Sequence, residues 1–480
     1  MLFNSLAYAF FLPIVFIVYW LMPHKFRWFV LLISSYYFYM SWNPKYIVLI
    51  FGTTMISYVS GILIEKSTGK RRKKAILAGA AVICLGVLFI FKYFNFAIES
   101  FCSLFRVCGL KLNPITLKLI LPVGISFYTF QTLSYVIDVY RGDVKAEKHF
   151  GYYAAFISFF PQLVAGPIER TANLLPQIKK ARLFDEHKAV SGLRLMAWGY
   201  FKKIALADTL AVYVDAVYNS LYDFEGFILI VIILFFSIQI YCDFSGYSDI
   251  AVGTARLFGI DLMKNFNCPY FATSINEFWM RWHISLSTWF RDYVYIPLGG
   301  NRCTKGRQSA NLMLTFLASG LWHGANWTYL IWGGVYGVAQ IIENLFSQWL
   351  RAVKKSKAGK FILWAFVFAF CNMAWVFFRA PNLQEAHYIL THFTVGMVSP
   401  ASFLRDGFEA MGIVEIRTFR MIVALAVLLI GDLGVYCGCL TSKWERLPCA
   451  VRWIGYLVFI WLIWMLIPLE SSGLFIYFQF

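Results

Sequence analysis

Two histidines in strongly apolar surroundings are the residues of this sequence best suited to acid–base chemistry. His323 lies within the stretch SGLWHGANWTYLIW, and His283 lies within the stretch NEFWMRWHISLSTWFRD. A polar ring in hydrocarbon needs a partner or a water-lined cavity, and ionisable side chains inside membranes are functional candidates by default. Because the unperturbed pKa of histidine is about 6.5, a largely neutral imidazole can take up a proton at physiological pH. We therefore treat His323 as a candidate catalyst.

Two alternatives to catalysis stay open for these histidines. A histidine in an apolar segment is often a packing residue that is satisfied by hydrogen bonds, and two histidines can also hold a metal. No cysteine or carboxylate at ligand spacing supports a metal site, and the ten cysteines show neither framework nor zinc spacing. We therefore predict that no metal is bound.

The elements that carry the histidines belong to a chain with the composition of a membrane protein. Of its 480 residues, 60% are hydrophobic, 19% are aromatic and only 14% are charged, whereas a soluble domain carries about 25% charged residues. Apolar runs of nearly membrane-spanning length recur at Leu6–Met22, Ala75–Phe91, Phe227–Tyr241, Phe361–Phe378, Met421–Val435 and Ile454–Ile467. Alternating ten-residue strands are lacking. The sequence predicts an all-α polytopic membrane protein with roughly a dozen spans of ~20 residues.

The distribution of basic residues indicates an orientation in the membrane. The formal net charge is +18, but the lysines and arginines cluster in short loops, which is the positive-inside pattern rather than a nucleic-acid footprint. The clusters at 66–74, 351–360 and 443–452 are therefore expected to be cytoplasmic. Counting spans from these loops predicts that the N-terminus and the C-terminus are both extracytoplasmic. We expect membrane lipids, and no nucleic acid, as partners.

Polar side chains concentrated between about 120 and 335 predict an internal polar cavity, because unpaired polar groups are costly to desolvate. We find no tandem repeat and no long linker. We therefore expect a single membrane domain over 1–480, with a catalytic core at about 120–335 and a C-terminal extracytoplasmic tail at about 469–480. The segment Asn276–Asp292 is amphipathic and too polar to span, so we predict a re-entrant or interfacial helix there.

Motifs in this region resemble the membrane-bound O-acyltransferase (MBOAT) family. The stretch NFNCPYFATSINEFWMRWHISLSTWFRDYVYIPLGGNR at 265–302 and the stretch GLWHGANWTYLIWG at 320–333 are similar to the bacterial branch of alginate and peptidoglycan O-acetyltransferase membrane subunits. Stretches at 121–142, 160–170 and 241–253 support the resemblance, which runs over most of the chain. Cys242 departs from the pattern, since an aromatic residue usually stands there.

The resemblance implies both a fold and an activity. The fold is a ring of tilted transmembrane helices with re-entrant segments and a central funnel or tunnel. The activity is a membrane O-acetyltransferase that moves an acetyl group from cytosolic acetyl-CoA across the bacterial cytoplasmic (inner) membrane. The final acceptor would be an extracytoplasmic polysaccharide, namely peptidoglycan, alginate or another surface glycan. Acetyl-CoA would be a donor substrate, with no permanently bound cofactor.

A partner protein is also implied. The sequence contains neither a GxGxxG motif nor a P-loop, and we find no soluble Ser/His/Asp set in it. A separate extracytoplasmic SGNH-type O-acetyltransferase would then complete the transfer to the polysaccharide.

The resemblance implies that His323 is essential and that His283 is the second histidine of this branch. Acyl transfer from a thioester to a hydroxyl needs a base near the nucleophile and donors for the developing oxyanion. We hypothesise that His323 takes the proton, while His283, Asn326 and backbone N–H groups beside Gly324 orient the acyl group or stabilise the oxyanion. Trp322 would wall the cavity and exclude water.

Two further sets of residues have more than one interpretation. Arg302, Lys305 and Arg307 are candidates for binding the donor, although they could equally be topology signals. Tyr477, in the terminal stretch FIYFQF, resembles the tyrosine of the small protein that works beside the teichoic-acid transferase. We hypothesise that Tyr477 is an acyl acceptor that relays the group outward; the alternative is an aromatic tail that anchors at the interface.

Other functions stay open at this point. D-alanyl or other acyl transfer to a cell-envelope polymer fits the RWH and WHG motifs, which the teichoic-acid proteins share. A secondary transporter or flippase could use Asp243 and Asp249 as coupling sites. The polar residues crowd into one asymmetric stretch rather than into paired repeats, which argues against transport.

Overall fold

The computed structural model describes residues 1–110, 112–399, 403, 415–438, 444 and 446–467. Every regular element in this part of the chain is helical, which confirms the all-α prediction. The α-helices are α1 Leu6–Leu21, α2 His24–Met40, α3 Ile47–Lys66, α4 Lys70–Leu88, α5 Phe94–Val107, α6 Ile125–Arg141, α7 Phe150–Ser158, α8 Phe160–Leu163, α9 Thr171–Lys179, α10 Glu186–Tyr200, α11 Asp208–Asn219, α12 Phe227–Leu257, α13 Ile275–Arg281, α14 Ile284–Phe290, α15 Lys305–His323, α16 Trp327–Leu345, α17 Ser347–Val353, α18 Lys357–Arg379, α19 Leu383–His392, α20 Glu415–Tyr436 and α21 Cys449–Leu466.

Six helical stretches in the described residues are long and apolar enough to cross a membrane. They are Pro44–Lys66, Lys70–Val107, Phe227–Leu257, Lys357–Arg379, Phe419–Tyr436 and Cys449–Leu466. Helix α1 is apolar but shorter. All six apolar runs singled out in the sequence fall on helices, so the chain is a multi-pass membrane protein. The count of roughly a dozen spans, the ring and the funnel stay predictions.

The chain divides into two compact units, one of residues 1–196 with 248–263 and one of residues 197–247 with 264–480. The single-domain boundaries stay a prediction. In the first unit, α2 packs on α7 and α3 packs on α6. Its core includes Phe160, whose ring makes edge contacts with Phe11 at 5.2 Å and with Phe258 at 5.9 Å. Aromatic pairs of this kind stabilise a core beyond simple burial.

A closely packed pair of helices in the second unit, α15 and α16, carries the histidine motif. A Cβ atom at Gly320 would lie 2.2 Å from the backbone oxygen of Tyr329, and one at Gly333 would lie 2.4 Å from that of Phe316. Small residues allow helix backbones to approach closely inside membranes. Since α16 also packs on α18, the end of α15 is enclosed on more than one side.

The amphipathic segment that we predicted as one re-entrant or interfacial helix is two short helices with a break. Helix α13 begins after the N-cap residue Ser274, whose Oγ accepts from Glu277 N, and the Glu277 carboxylate accepts from Thr273 N. The chain turns out of the helix at Trp282, and α14 begins after His283. A π-helical turn, Arg291–Tyr295, follows α14. The break puts His283 at an irregular position between two helices, and such positions often have a function.

Candidate active site

His323 is the last residue of α15 and is buried among aromatic rings. Its side chain is 4% exposed. Its ring centroid lies 5.0 Å from that of Trp322, 5.0 Å from that of Trp332 and 5.3 Å from that of Phe378. The helix ends there because Gly324 is extended and Asn326 caps the next helix. The imidazole of His323 is therefore enclosed by three aromatic rings.

His283 is fully buried in the same unit and has a left-handed backbone. Its φ and ψ angles are 42° and 54°, which is uncommon for a residue other than glycine. The segment 265–267 stabilises the break between α13 and α14 through two backbone hydrogen bonds. Asn267 N donates to Arg281 O, and Ile284 N donates to Asn265 O. The ring of His283 lies 4.6 Å from Phe244 and 6.5 Å from His323. The structure thus brings together the two histidines that are forty residues apart in the sequence.

Asn265 determines which nitrogen of His283 carries a hydrogen. Its Oδ1 lies 3.1 Å from Nδ1 of His283, and it also accepts from Ser285 N at 3.2 Å and from Ser285 Oγ at 2.9 Å. A backbone N–H can only donate, so the Asn265 atom must be the oxygen. The Nδ1 of His283 is therefore protonated, and in the neutral ring Nε2 has the lone pair.

The charge state of His283 follows from its burial. His283 lies outside the six apolar spanning stretches, and burial lowers the pKa of its imidazole to about 3. Desolvation penalises the charged form, so the ring is neutral over the physiological range. A neutral imidazole with a defined tautomer is suited to accepting a hydrogen bond through Nε2.

Trp332 is a residue that the sequence reasoning did not select. It is fully buried, and its ring lies 5.0 Å from that of His323. Within the described part of the chain, no residue accepts a hydrogen bond from its indole N–H. An unsatisfied buried donor costs about 1–3 kcal/mol, which makes this N–H group next to His323 a candidate donor to a bound ligand. Its position nine residues after His323 on the neighbouring helix gave no sequence signal of its own.

The structure gives Gly324 and Asn326 structural tasks. A Cβ atom at Gly324 would lie 2.1 Å from the ring of Tyr329, and Gly324 N donates to Gly320 O at 3.4 Å. The Oδ1 of Asn326 accepts from Thr328 N, and its Nδ2 donates to Pro381 O at 2.8 Å. Packing and capping therefore account for both residues. Trp322, in contrast, lies beside both His323 and His283.

The basic candidates for donor binding lie at the opposite end of α15 from His323. Arg302, Lys305 and Arg307 are all exposed. Lys305 begins the helix and His323 ends it, so about 27 Å of helix separates them at 1.5 Å per residue. The structure does not bring these residues to the histidines. Tyr477 lies outside the described residues.

A buried ion cluster in the same unit accounts for Asp243. The Nζ of Lys203 lies 2.6 Å from the Oδ1 of Asp243 and 2.9 Å from the Oδ1 of Asp208. All three side chains are buried. Lys203 lies in a π-helical stretch, Phe201–Ala207, and such bulges are frequent near functional sites. The ion pair gives Asp243 a structural partner, which weakens its proposed role as a transporter coupling site.

Among the described residues, no group of three or more His, Cys, Asp or Glu side chains could hold a metal.

The helical membrane fold and the buried histidine pair define a class of protein, an integral membrane protein with acid–base groups enclosed within its helices. A family model described as "MBOAT, membrane-bound O-acyltransferase family" matches residues 147–380. The protein belongs to the MBOAT family, and it is an O-acyltransferase of the O-acetyltransferase branch. The predicted resemblance is confirmed.

Relatives with assigned names support this conclusion. The chain is 41% identical over 389 residues to the probable alginate O-acetylase AlgI of Azotobacter vinelandii, covering 80% of this chain and 76% of the relative. It is 35% identical over 424 residues to the peptidoglycan O-acetyltransferase of Helicobacter pylori, covering 81% and 79%. A teichoic acid D-alanyltransferase of Bacillus subtilis is 28% identical over 241 residues, covering 48% and 61%.

Proposed function

We propose that the protein transfers an acetyl group from cytosolic acetyl-CoA, across the membrane, for the O-acetylation of an extracytoplasmic polysaccharide. Two relatives are named for alginate and peptidoglycan O-acetylation, and the alignment with this chain spans more than two thirds of the length of each. Alginate, peptidoglycan or another surface glycan is the final acceptor. The resemblance supports the bacterial cytoplasmic membrane as the location, and the positions of the basic loops support termini that are both outside.

The observation that carries the proposal is the buried pair of His283 and His323. Their ring centroids lie 6.5 Å apart, so the reaction we propose places the acceptor hydroxyl beside both imidazoles. His283 is held by Asn265 as a neutral ring with Nε2 as its basic nitrogen. The pair thus supplies a base, His323, and a hydrogen-bond acceptor, His283, in surroundings from which bulk water is excluded by Trp322, Trp332 and Phe378.

The reaction proceeds by attack of a hydroxyl oxygen on the thioester carbonyl carbon. His323 takes the hydroxyl proton as the C–O bond forms. The C–S bond then breaks, and the departing thiolate receives the proton from the His323 imidazolium to leave as the CoA thiol. His283 accepts a hydrogen bond through Nε2 and orients the reacting hydroxyl. The indole N–H of Trp332 stabilises the developing oxyanion, a task that Asn326 and the backbone at Gly324 perform less well because their groups are already bonded.

The donor would bind with its nucleotide phosphates on Arg302, Lys305 and Arg307. Positive charge at the start of α15 suits phosphate, and the distance of about 27 Å to His323 requires an extended donor that reaches along the helix. Replacing all three residues with glutamine should raise the KM for acetyl-CoA and leave kcat nearly unchanged. An unchanged KM would leave these residues as topology signals only.

Delivery outside the membrane requires an acceptor and a partner. Tyr477 is our candidate for the hydroxyl that receives the acetyl group near His323 and presents it outside. A separate SGNH-type transferase then passes the group to the polysaccharide. Full activity of Tyr477→Phe, together with no acetyl adduct on the tail by intact mass, would remove this relay and leave the histidine chemistry untouched.

A second candidate is D-alanyl transfer, which the similarity to teichoic acid D-alanyltransferases supports. The lower identity and smaller coverage of those relatives favour acetyl transfer. The two donors are distinguished in sealed membrane vesicles that carry the overproduced protein. Radiolabelled acetyl-CoA on the cytoplasmic side should give hydroxylamine-labile label in the envelope fraction, and a D-alanyl carrier-protein thioester should not. Label from the D-alanyl donor alone would overturn the acetyl assignment.

A further inference from the structure

A large apolar groove lies in the second unit, away from the histidines, between α15, α16, α17 and α18. Its volume is about 1290 Å³, and carbon atoms form almost the whole of its wall. Small-molecule sites usually measure 300–1000 Å³ and contain several placed polar groups, so this groove is larger and far less polar than such a site. It suits a long hydrocarbon ligand.

The groove follows α16 for most of the thickness of a membrane. Its lining runs from Trp327 to Phe346, a length of about 28 Å along the helix, against a hydrocarbon core of ~30 Å. Two small residues, Gly334 and Ala339, keep the groove open. A Cβ atom at Gly334 would meet only a side-chain atom of Leu317 at 3.7 Å, so a side chain there would extend into the groove.

One end of the groove adjoins a strongly basic segment. Trp349 and Leu350 line the groove, and the next residue is Arg351. Five basic residues and no acidic residue occur between Ser347 and Lys360; the basic residues are Arg351, Lys354, Lys355, Lys357 and Lys360. All but Lys354 are exposed, and Lys354 is half-buried. Clusters of basic residues at the end of a transmembrane helix attract anionic lipid head groups.

The acidic residue in the groove is already engaged. Glu343 lines the same end, and its carboxylate accepts hydrogen bonds from the backbone of Ile275 at 2.5 Å and of Asn276 at 3.2 Å. These N–H groups belong to the start of α13, where a negative charge is stabilised by the helix dipole. The negative charge of Glu343 is thus stabilised by these two N–H groups. The net charge at this end of the groove is therefore positive and comes from the basic segment.

We propose that the groove binds one diacyl phospholipid with an anionic head group. Its acyl chains lie along α16 towards Ala339 and Gly334, and its phosphate lies against Arg351, Lys354 and Lys355. The hydrophobic wall and the adjacent uncompensated positive charge match the two parts of such a lipid. The site is separate from the histidine pair, so it does not depend on the proposed reaction.

The test uses the delipidated full-length protein in detergent and measures lipid binding by native mass spectrometry. Phosphatidylglycerol and phosphatidylcholine with identical chains are titrated in parallel. The wild type should bind one phosphatidylglycerol at least about ten-fold more tightly than phosphatidylcholine, since each basic residue near the head group contributes about 1 kcal/mol.

Two variants test the two parts of the site separately. Gly334→Leu with Ala339→Phe fills the groove and should weaken binding of both lipids. Arg351→Gln with Lys354→Gln and Lys355→Gln should remove the preference for phosphatidylglycerol and leave phosphatidylcholine binding unchanged. The matched control, Lys70→Gln with Arg71→Gln and Arg72→Gln, removes the same charge at the start of α4, which does not line the groove. It should behave as the wild type.

Three results would overturn the proposal. These are unchanged lipid binding in the filled variant, an equal loss in the α4 control, and a dimer of this protein that dissociates when the groove is filled. The thermal unfolding midpoint of each variant is measured first. If the double substitution unfolds, Ala339→Phe alone replaces it, with the same expected direction.

Discussion

The side-chain oxygen of Asn265 lies 3.1 Å from Nδ1 of His283 and makes this buried imidazole a single tautomer. The same oxygen accepts two hydrogen bonds from Ser285, so it cannot be replaced by the amide nitrogen without loss of both. In the reaction that we propose, Asn265 would therefore be a positioning residue that acts through His283.

The first prediction concerns this contact. Asn265→Ala should lower kcat roughly 10- to 100-fold, as the loss of an orienting partner commonly does, with little change in KM. Asn267→Ala is the control, because the Asn267 side chain bonds to Lys264 and not to His283. Equal losses in the two variants would mean that the segment matters only for folding.

Asn265→Asp gives a readout that a purely structural role would not produce. The carboxylate keeps an acceptor for Nδ1 but adds a negative charge, which favours the protonated imidazole and raises the pKa of His283. In the wild type, burial lowers this pKa to about 3, so His283 contributes no acid limb to the activity between pH 5 and 8. The activity of the aspartate variant should therefore fall at acid pH, where the wild type stays active. An unchanged pH profile would contradict this account.

A second prediction tests the indole donor. Trp332→Phe keeps an aromatic ring beside His323 but removes the N–H group. If this group stabilises the oxyanion, kcat should fall about 100-fold or more with KM nearly constant. Trp279→Phe changes a ring that packs against Trp332, and it should have a small effect. A wild-type kcat in Trp332→Phe would exclude the indole from the reaction.

The third prediction concerns the glycine after His323. Gly324→Ala places a methyl group into the Tyr329 ring, and overpacking of this kind destabilises by about 1–3 kcal/mol. Since Tyr329 packs on Phe378, and Phe378 packs on His323, activity should fall as well. Adding Tyr329→Leu should restore part of the stability. Gly52→Ala, where no atom lies within 4 Å, should leave the unfolding midpoint unchanged or slightly higher.

The fourth prediction concerns the buried ion cluster. Lys203→Met would leave the Asp208 and Asp243 carboxylates buried without their shared cation, which should destabilise the protein by about 3–5 kcal/mol. Adding Asp208→Asn and Asp243→Asn should recover much of this loss. Breaking the surface pair of exposed Arg291 and half-buried Asp292 with Arg291→Gln should change stability by less than about 1 kcal/mol. Thermal unfolding in detergent measures all of these variants.

Much of the fold and part of the site were predictable from the sequence. Long apolar runs require helices in a membrane, so the apolar runs of the sequence lie on helices, and the sequence singled out the two histidines that the fold brings together. The position of Asn265 eighteen residues before His283 carries no periodic signal, because a turn and helix α13 lie between the two residues and backbone hydrogen bonds on the far side of α13 bring them together. The left-handed backbone at His283 was not predictable either, since glycine is the residue that usually indicates this conformation in a sequence.

The roles of Gly324 and Asn326 show a different limit. Both stand beside His323 in the sequence, which made them candidates for substrate contact. In the folded chain, the space next to Gly324 is filled by Tyr329, and the Asn326 amide caps α16 and holds Pro381. Sequence proximity to His323 therefore does not distinguish contact with substrate from local packing, and the packing and capping contacts of the two residues become visible only in the folded chain.

The most direct measurement compares CoA release from acetyl-CoA by membrane vesicles that carry the wild type, His323→Asn or His387→Asn. His387 is an exposed histidine on α19, outside the site, and serves as the control. The account predicts that His323→Asn loses at least about 100-fold in rate with an unchanged unfolding midpoint, because a catalytic base contributes 10²- to 10⁴-fold, while His387→Asn keeps its activity. Turnover of acetyl-CoA by well-folded His323→Asn at the wild-type rate would contradict the central claim.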